Sequence, residues 1–412
     1  MTHETTQDPL PDATSFALPA LDPRALEARA ERVVIDLRSP SEFAEDHVDG
    51  AWNVPLFDDD QRALVGTLYR RVSPAAAFER GRELVEERIE ELVLSIAELA
   101  GWTPPRADLR ARVRELTADG YAGFAGELTT RAIDAKELDF ARAPIVLCCW
   151  RGGMRSRSVT LLLRELGLAR ACVAAGGYRA WRQLVAQDLE RFEAPPTFVL
   201  RGLTGVGKTL VLRELERIRP RTTLDLEDCA RHRSSILGMV GLEPVGQKTF
   251  ESRVRARITH GFDRVLVVEG ESRKVGDVVV PPRVWSALDG GTSLELVAST
   301  ERRVEVLRND YLARPENAQE LLPRLAYLDE RIAREPGTPT LVERFRAGAV
   351  DEVVRELLER WYDPRYRHGE QGRRYAATFD ATDPERCARA ISAWIDAQAT
   401  VRRAEPREGV HA

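Results

Sequence analysis

Thr197-Phe198-Val199-Leu200-Arg201-Gly202-Leu203-Thr204-Gly205-Val206-Gly207-Lys208-Thr209 decides the fold of the C-terminal half. An apolar run gives way to a glycine, and from Gly202 the residues satisfy G-x-x-x-x-G-K-[ST] at every fixed position. Helical spacing of Leu, Val and Ile follows from Thr209 to Ile218. Strand, glycine loop and helix in that order make a phosphate cradle. Backbone N–H groups and Lys208 hold a diphosphate, and Thr209 is placed to ligate Mg2+ beside it. Gly202, Thr204, Gly205, Gly207, Lys208 and Thr209 are therefore the candidate phosphate-binding residues. The motif demands a phosphate chain and does not demand that the chain belong to a nucleotide.

Working outward, Val265 to Val268 reads as a second buried strand. It runs into Glu269-Gly270-Glu271-Ser272-Arg273-Lys274, where Glu269 and Glu271 stand where a cation-binding acid is expected and Arg273 and Lys274 add two bases. Leu294 to Ala298 is a third strand. Pro195-Pro196 marks a linker, so a P-loop α/β domain is expected over 197–400, with a helical C-terminal part from about residue 300. Upstream, Val33 to Asp36, Ile145 to Cys149 and Arg170 to Ala174 read as buried strands alternating with helices such as Ser156 to Leu166. That pattern indicates a second α/β unit with a parallel sheet over 31–194. Residues 62–118, rich in Glu, Arg, Ala and Leu, read as a helical insertion in it. Residues 1–30 read as a flexible arm and 402–412 as a disordered tail. No internal repeat is evident.

The second chemical signal lies between a strand and a helix. Cys148-Cys149-Trp150-Arg151-Gly152-Gly153-Met154-Arg155-Ser156 places a thiol on the loop beyond the carboxyl end of a strand, where open parallel sheets bind ligands. The loop opens a helix, so its N–H groups converge as an anion nest. A thiol at the first loop position, near Arg151 and Arg155, is set up to act as a thiolate. Cys149, Arg155 and Arg151 are the catalytic candidates. Cys148, one residue earlier, belongs to the strand. Cys172, Cys229 and Cys387 have no such context and no metal-ligand spacing, and no resident metal set is assigned.

Composition narrows the field. Of 412 residues, 43% are hydrophobic and 31% charged, which fits an ordinary globular chain and excludes collagen-like or wholly disordered classes. No run of about 18 apolar residues is present, so no membrane-spanning helix is expected. Met1 to Ala20 lacks a basic region followed by an apolar run, which makes the cytoplasm the expected location. Five cysteines make no disulfide framework. The net charge of −5 excludes a uniformly basic nucleic-acid binder but not a local basic face. Lys is rare: Lys136, Lys208, Lys248 and Lys274 are the only four among 61 basic residues.

Such a face is legible. From Asp228 to Lys274 nine Lys or Arg stand against six acids. Arg231, His232, Arg233 and Lys248 fall there, as does the run Arg253, Arg255, Arg257. Farther on, Trp361-Tyr362-Asp363-Pro364-Arg365-Tyr366-Arg367-His368 and Arg373-Arg374-Tyr375 interleave aromatics with bases. Aromatics stack on splayed RNA bases while Arg holds phosphates, so Arg231, His232, Arg233, Lys248, Arg365, Tyr366, Arg367, Arg373 and Arg374 are candidate RNA-binding residues.

Asp36-Leu37-Arg38-Ser39-Pro40-Ser41-Glu42-Phe43, His47-Val48-Asp49-Gly50-Ala51-Trp52-Asn53-Val54-Pro55 and Gly176-Gly177-Tyr178-Arg179-Ala180-Trp181 resemble the opening and closing signatures of a rhodanese domain. The Cys loop lies between them, where rhodaneses place a persulfide-forming cysteine. Many rhodaneses read C-x4-R, whereas Cys149 to Arg155 is C-x5-R, a wider nest also used by cysteine phosphatases. The loop alone does not separate chalcogen transfer from phosphate ester hydrolysis.

A rhodanese-like domain followed by a P-loop domain, over about 32–395, resembles the tRNA 2-selenouridine synthase family. Val65-Gly66-Thr67-Leu68-Tyr69, Cys149 to Ser156, Gly202 to Thr209, His232-Arg233-Ser234-Ser235, Gln247-Lys248-Thr249-Phe250-Glu251, Glu269 to Lys274 and Tyr362-Asp363-Pro364-Arg365-Tyr366 carry the resemblance. Ser234 departs from it, standing where the family has glycine. The resemblance implies a transferase that replaces sulfur by selenium in the wobble 2-thiouridine of tRNA, with selenophosphate as donor. It also implies geranyl transfer from geranyl diphosphate to the 2-thio sulfur, giving a geranylated intermediate. It implies no tightly bound cofactor, and a selenophosphate-producing enzyme as donor partner. The main alternative is an ATP-dependent tRNA sulfurtransferase with a persulfide on Cys149, which predicts tRNA-stimulated ATP turnover. A nucleotide-sensing RNA-binding adaptor and a cysteine phosphatase are the further alternatives.

Overall fold

The computed structural model describes residues 17–26, 32–133, 143–335 and 337–404. Lys136 lies outside them, as do most of the expected N-terminal arm and the end of the expected tail. The chain forms two compact units that divide between Gln187 and Asp188. Pro195-Pro196 falls inside the second unit, seven residues or more past the division. The last turn of the helix Gly177–Arg191 is held there by its own contacts: Asp188 accepts from Arg255 Nε at 2.8 Å, and Phe192 packs on Phe262.

The first unit is built on a six-stranded sheet in the order β3-β2-β5-β6-β1-β4, all neighbours parallel. The strands are β1 (Leu18–Leu21), β2 (Val33–Asp36), β3 (Trp52–Asn53), β4 (Thr130–Ile133), β5 (Ile145–Cys148) and β6 (Ala171–Ala174). The four residues of β5 are fully buried, as a strand covered on both faces requires. β1 corrects the reading of residues 1–30 as a flexible arm: Leu18, Ala20 and Leu21 are buried, and the strand sits between β6 and β4. Helices Asp59–Arg71, Pro74–Ala100, Leu109–Leu116 and Gly120–Glu127 fill the space before β4, an insertion longer at both ends than the 62–118 expected. The long one starts at Ser73, whose hydroxyl accepts from Ala76 N–H at 3.1 Å. It buries Leu84, Ile89, Leu92, Val93 and Ile96 along one stripe against β2 and β5 residues.

The second unit carries a five-stranded parallel sheet in the order β13-β12-β7-β9-β8. Here β7 is Thr197–Arg201, β8 Thr223–Leu224, β9 Leu266–Glu269, β12 Thr292–Val297 and β13 Ala377–Asp380, while β10 (Lys274–Val275) and β11 (Val278–Val279) form a small antiparallel pair. The glycine loop and the acids after β9 thus leave the carboxyl ends of adjacent central strands. Between β12 and β13, helices Thr300–Tyr311, Asn317–Asp329, Leu341–Arg346 and Val350–Leu357 build a core of their own around Leu237, Leu321, Leu325, Leu328, Val353 and Leu357. Among the described residues no helix is long and apolar enough to cross a membrane.

Candidate functional site

In the first unit the Cys loop spans from β5 to the helix Met154–Glu165. It is pinned from the closing signature: Tyr178 N–H donates to Cys149 O at 2.9 Å and Arg179 N–H to Trp150 O at 3.0 Å. Gly152 has φ +60°, and a Cβ there would meet Ala174 O at 2.5 Å, so the loop can curl only with glycine at this position. Among the described residues the N–H groups of Trp150 through Arg155 donate to no other group of the chain, which leaves them for an anion. Cys149 is 3% exposed, and its Sγ lies 3.2 Å from the buried Ser156 hydroxyl. Arg155 pairs with Glu42 at 3.6 Å. Burial pushes the Glu42 carboxyl up, but Arg155 and Arg62 together hold it below the usual range. Arg151 is exposed. Cys148 is fully buried, and burial with the neighbouring Asp36 drives its thiol well above the ordinary value, which suits a strand residue and not a nucleophile.

The opening signature has a structural use. Arg38, 1% exposed, donates from Nη2 to Asp36 Oδ2 at 2.7 Å and to Asp46 O at 2.7 Å, and lies 3.6 Å over the Tyr178 ring. Tyr178 in turn donates to Asp46 Oδ2 at 2.8 Å. This buried network ties β2 to the segment that pins the Cys loop.

In the second unit the glycine loop joins β7 to the helix Lys208–Ile218. Gly205 has φ +78°, and a Cβ there would meet Arg303 O and Leu307 Cγ, each at 2.9 Å. Lys208 Nζ rests on Gly202 O at 3.2 Å, and the Thr209 hydroxyl donates to Glu227 Oε2 at 3.5 Å. Glu227, Glu269 and Glu271 each bring a carboxylate oxygen within 4.8 Å of the others. Glu269 is fully buried and neither oxygen has a partner among the described residues. Burial and the adjoining carboxylates, Glu227 foremost, push Glu269 well above its ordinary value against the pull of Lys208. Glu227 is pushed up to about 8 by burial and then by Glu271. An orphaned buried carboxylate, two more acids and a hydroxyl form an all-oxygen set that fits a hard divalent cation beside a bound diphosphate.

Residues 195–323 match the family described as the tRNA 2-selenouridine synthase AAA domain. The tRNA 2-selenouridine synthase of Chromohalobacter salexigens is 32% identical over 297 residues, covering 72% of this chain and 69% of that one. That of Pseudomonas syringae pv. syringae is 30% identical over 364 residues, covering 81% and 87%. The chain belongs to the tRNA 2-selenouridine synthase family. A further relative from Nitrosomonas europaea, also a tRNA 2-selenouridine synthase, is 27% identical over 80% of this chain.

One of the segments that carry the family resemblance, Tyr362 to Tyr366, reaches the glycine loop. The Gly202 N–H donates to the Tyr366 hydroxyl at 2.5 Å. Arg303, 3% exposed, donates from Nε to Thr204 O at 2.9 Å and from Nη1 to Asp363 Oδ2 at 3.0 Å. A π-helical turn, Leu358–Tyr362, precedes Asp363. Arg201 pairs with Glu370 at 3.1 Å, and Glu370 also pairs with Arg373 at 2.7 Å. The aromatic-basic segment is therefore divided. Tyr366 and Arg373 face inward contacts, while Arg365, stacked 3.5 Å over Trp361, and Arg367 and Arg374 are exposed.

The upstream basic segment divides likewise. Arg253, Arg255 and Arg257 pair with Asp228, Asp188 and Glu216, acids far away in sequence. Arg233 is bound to Asp310 at 2.6 Å and to Val240 O at 2.8 Å. His232 has a buried Nδ1 without a partner among the described residues, and burial lowers its pKa. Lys248 is half-buried in the first turn of the helix Gln247–Thr259. Arg231, Arg273 and Lys274 are exposed, and among the described residues their side chains make no ion pair. Sequence reasoning missed Glu227, Arg303, Ser156 and the positioning role of Tyr366. Glu227 had a signal: Thr222-Thr223-Leu224-Asp225 is a short β-branched run ending in acids, and β8 lies there.

Proposed function

We propose that this chain replaces sulfur by selenium in the wobble 2-thiouridine of tRNA, through a geranylated intermediate, using geranyl diphosphate and selenophosphate. The observation that carries this reading is the presence, in one member of the family, of two separate anion cradles with different equipment. One has a thiol and open N–H groups; the other has Lys208 and a carboxylate cluster.

In the first half-reaction the 2-thio sulfur attacks C1 of the geranyl group. The carbon–oxygen bond breaks and diphosphate leaves with the electron pair. Lys208 and the glycine-loop N–H groups hold that diphosphate, with Tyr366 and Arg303 fixing the loop. Glu227, Glu269, Glu271 and Thr209 would hold a divalent cation, which supplies charge neutralisation for the leaving group. In the second half-reaction selenium displaces the geranylthio group at C2, a better leaving group than sulfide. Selenium in selenophosphate is already at the selenide level, so a perselenide on Cys149 would need an oxidant. Attack of the Cys149 thiolate on phosphorus needs none. The phosphorus–selenium bond breaks, hydroselenide leaves with the electron pair, and water hydrolyses the phosphocysteine. The N–H groups from Trp150 to Arg155 and the Arg155 guanidinium hold the phosphate oxygens. Exposed Arg231, Arg273, Lys274, Arg365, Arg367 and Arg374 supply phosphate contacts for tRNA.

Cys149→Ser tests the division. It should lose selenation, keep geranylation and accumulate geranylated tRNA, read by mass analysis of nucleosides. Selenation surviving in this variant overturns the reading, as does joint loss of both activities in a folded protein that binds tRNA.

A further inference from the structure

The helix Met154–Glu165 carries three hydroxyl residues near its start, and they are not used alike. Ser158 donates to Met154 O at 2.8 Å and Thr160 to Ser156 O at 2.7 Å, the ordinary bond back to the carbonyl four residues earlier. Ser156 makes no such bond. The carbonyl four residues before it, Gly152 O, accepts from Arg157 Nε at 2.9 Å. The Ser156 hydroxyl reaches Gly153 O only at 3.3 Å, and that oxygen already accepts from Arg157 N–H at 3.1 Å. Its other contact is Cys149 Sγ at 3.2 Å, close for a sulfur. Ser156 is fully buried and Cys149 is 3% exposed, so water serves the sulfur poorly. Among the described residues Sγ has no other hydrogen-bond partner. A serine hydroxyl has one hydrogen, and with Gly153 O bonded elsewhere that hydrogen is free to turn to the sulfur when the sulfur carries charge.

We propose that Ser156 is a further catalytic residue of the Cys loop, whose hydroxyl turns from Gly153 O to Sγ and stabilises the charge that develops there as phosphocysteine breaks down. This rests on the reading of Cys149 as the nucleophile toward selenophosphate. In phosphocysteine the sulfur is bonded to phosphorus and is a weak acceptor, so the hydroxyl stays with Gly153 O. Water then adds its oxygen to phosphorus. The phosphorus–sulfur bond breaks with its electron pair returning to Sγ, inorganic phosphate leaves, and the proton of the water passes to solvent. The hydroxyl meets a neutral sulfur before this step and a charged one during it. Its hydrogen bond is therefore stronger in the transition state than in the intermediate, which is the condition for accelerating the step.

The test follows the full chain with selenophosphate and geranylated tRNA, reading phosphate release and, after an alkaline quench, phosphate bound to Cys149 by mass spectrometry. Ser156→Ala removes the hydroxyl and keeps a good helix former. A hydrogen bond to a charged group predicts that phosphate release slows by about 10–150-fold, while phosphocysteine accumulates toward one per chain. A merely structural role for Ser156 would slow formation and breakdown of phosphocysteine together, and none would accumulate. Ser156→Thr keeps the hydroxyl and should restore release. Phosphate release at the wild-type rate in Ser156→Ala overturns the assignment, as does a slow rate without phosphocysteine. If the wild type releases no more phosphate than Cys149→Ser, the reading of Cys149 itself falls. Should Ser156→Thr fail to fold, the accumulation in Ser156→Ala decides.

Discussion

The Tyr366 hydroxyl accepts the N–H of Gly202 at 2.5 Å, which makes an aromatic residue of the basic segment a support of the glycine loop. Tyr366→Phe removes the acceptor and little else. A net hydrogen bond of about 0.5–1.5 kcal/mol predicts that diphosphate binding weakens by roughly 2–13-fold. Affinity for tRNA should stay unchanged in a filter-binding assay. A comparable loss of tRNA binding would return Tyr366 to the RNA-contacting set.

The exposed bases should behave in the opposite way. Truncating Arg365, Arg367 and Arg374 together should weaken tRNA binding and flatten its dependence on salt, each lost phosphate contact lowering the slope by roughly 0.7–0.9. Arg373, paired with Glu370, should contribute less when changed alone. An unchanged slope in the triple variant would make these residues an ordinary solvated surface.

The carboxylate cluster predicts a pH profile. Glu227 is raised from 4.5 to about 8 and Glu269 also upward, so both hold protons more tightly folded than unfolded. Their contribution to stability is complete below the unfolded value near 4.5 and is lost as pH rises toward 8. Without divalent cation, thermal stability of the second unit should therefore decline across that window, and Mg2+ should restore it at the alkaline end. Glu269→Gln should flatten the decline and abolish the Mg2+ effect. Mg2+ stabilisation that persists undiminished in this variant would exclude the cluster as a cation site.

What the sequence disclosed and what it concealed follow from range. β5 and β7 are short apolar runs ending at a functional loop, so local pattern sufficed to place Cys149 and Lys208 at strand ends. β1 escaped because Pro19 sits inside it and its partners meet it only through the sheet: Leu18 N–H donates to Thr129 O, and Leu21 O accepts from Ala175 N–H. β8 is two residues long, too brief for periodicity, and Glu227 went with it. Arg253, Arg255 and Arg257 read as a basic face because their acids, Asp228, Asp188 and Glu216, come from other elements. A charge run shows its sign in sequence, but its partners are a property of the tertiary structure.

Ser234 has φ +42°, a left-handed conformation that L side chains adopt at a cost of roughly 1–2 kcal/mol. Its hydroxyl is buried and has no partner among the described residues, which adds a desolvation cost. The turn is fixed in this shape by neighbours: Arg233 N–H donates to Gly238 O at 3.0 Å, and Gly238 N–H to Ser235 O at 2.8 Å. The backbone therefore cannot relax around the serine. Glycine removes both costs and returns part of the gain as extra freedom in the unfolded chain, about 0.5–1 kcal/mol. Ser234→Gly should stabilise the second unit by about 1 kcal/mol, read by chemical denaturation. Ser234→Ala separates the two contributions, since it deletes the hydroxyl and keeps the strained Cβ, and should fall between serine and glycine. If alanine matches glycine, the buried hydroxyl carries the whole effect. If glycine is less stable than serine, the left-handed backbone is not strained at this position.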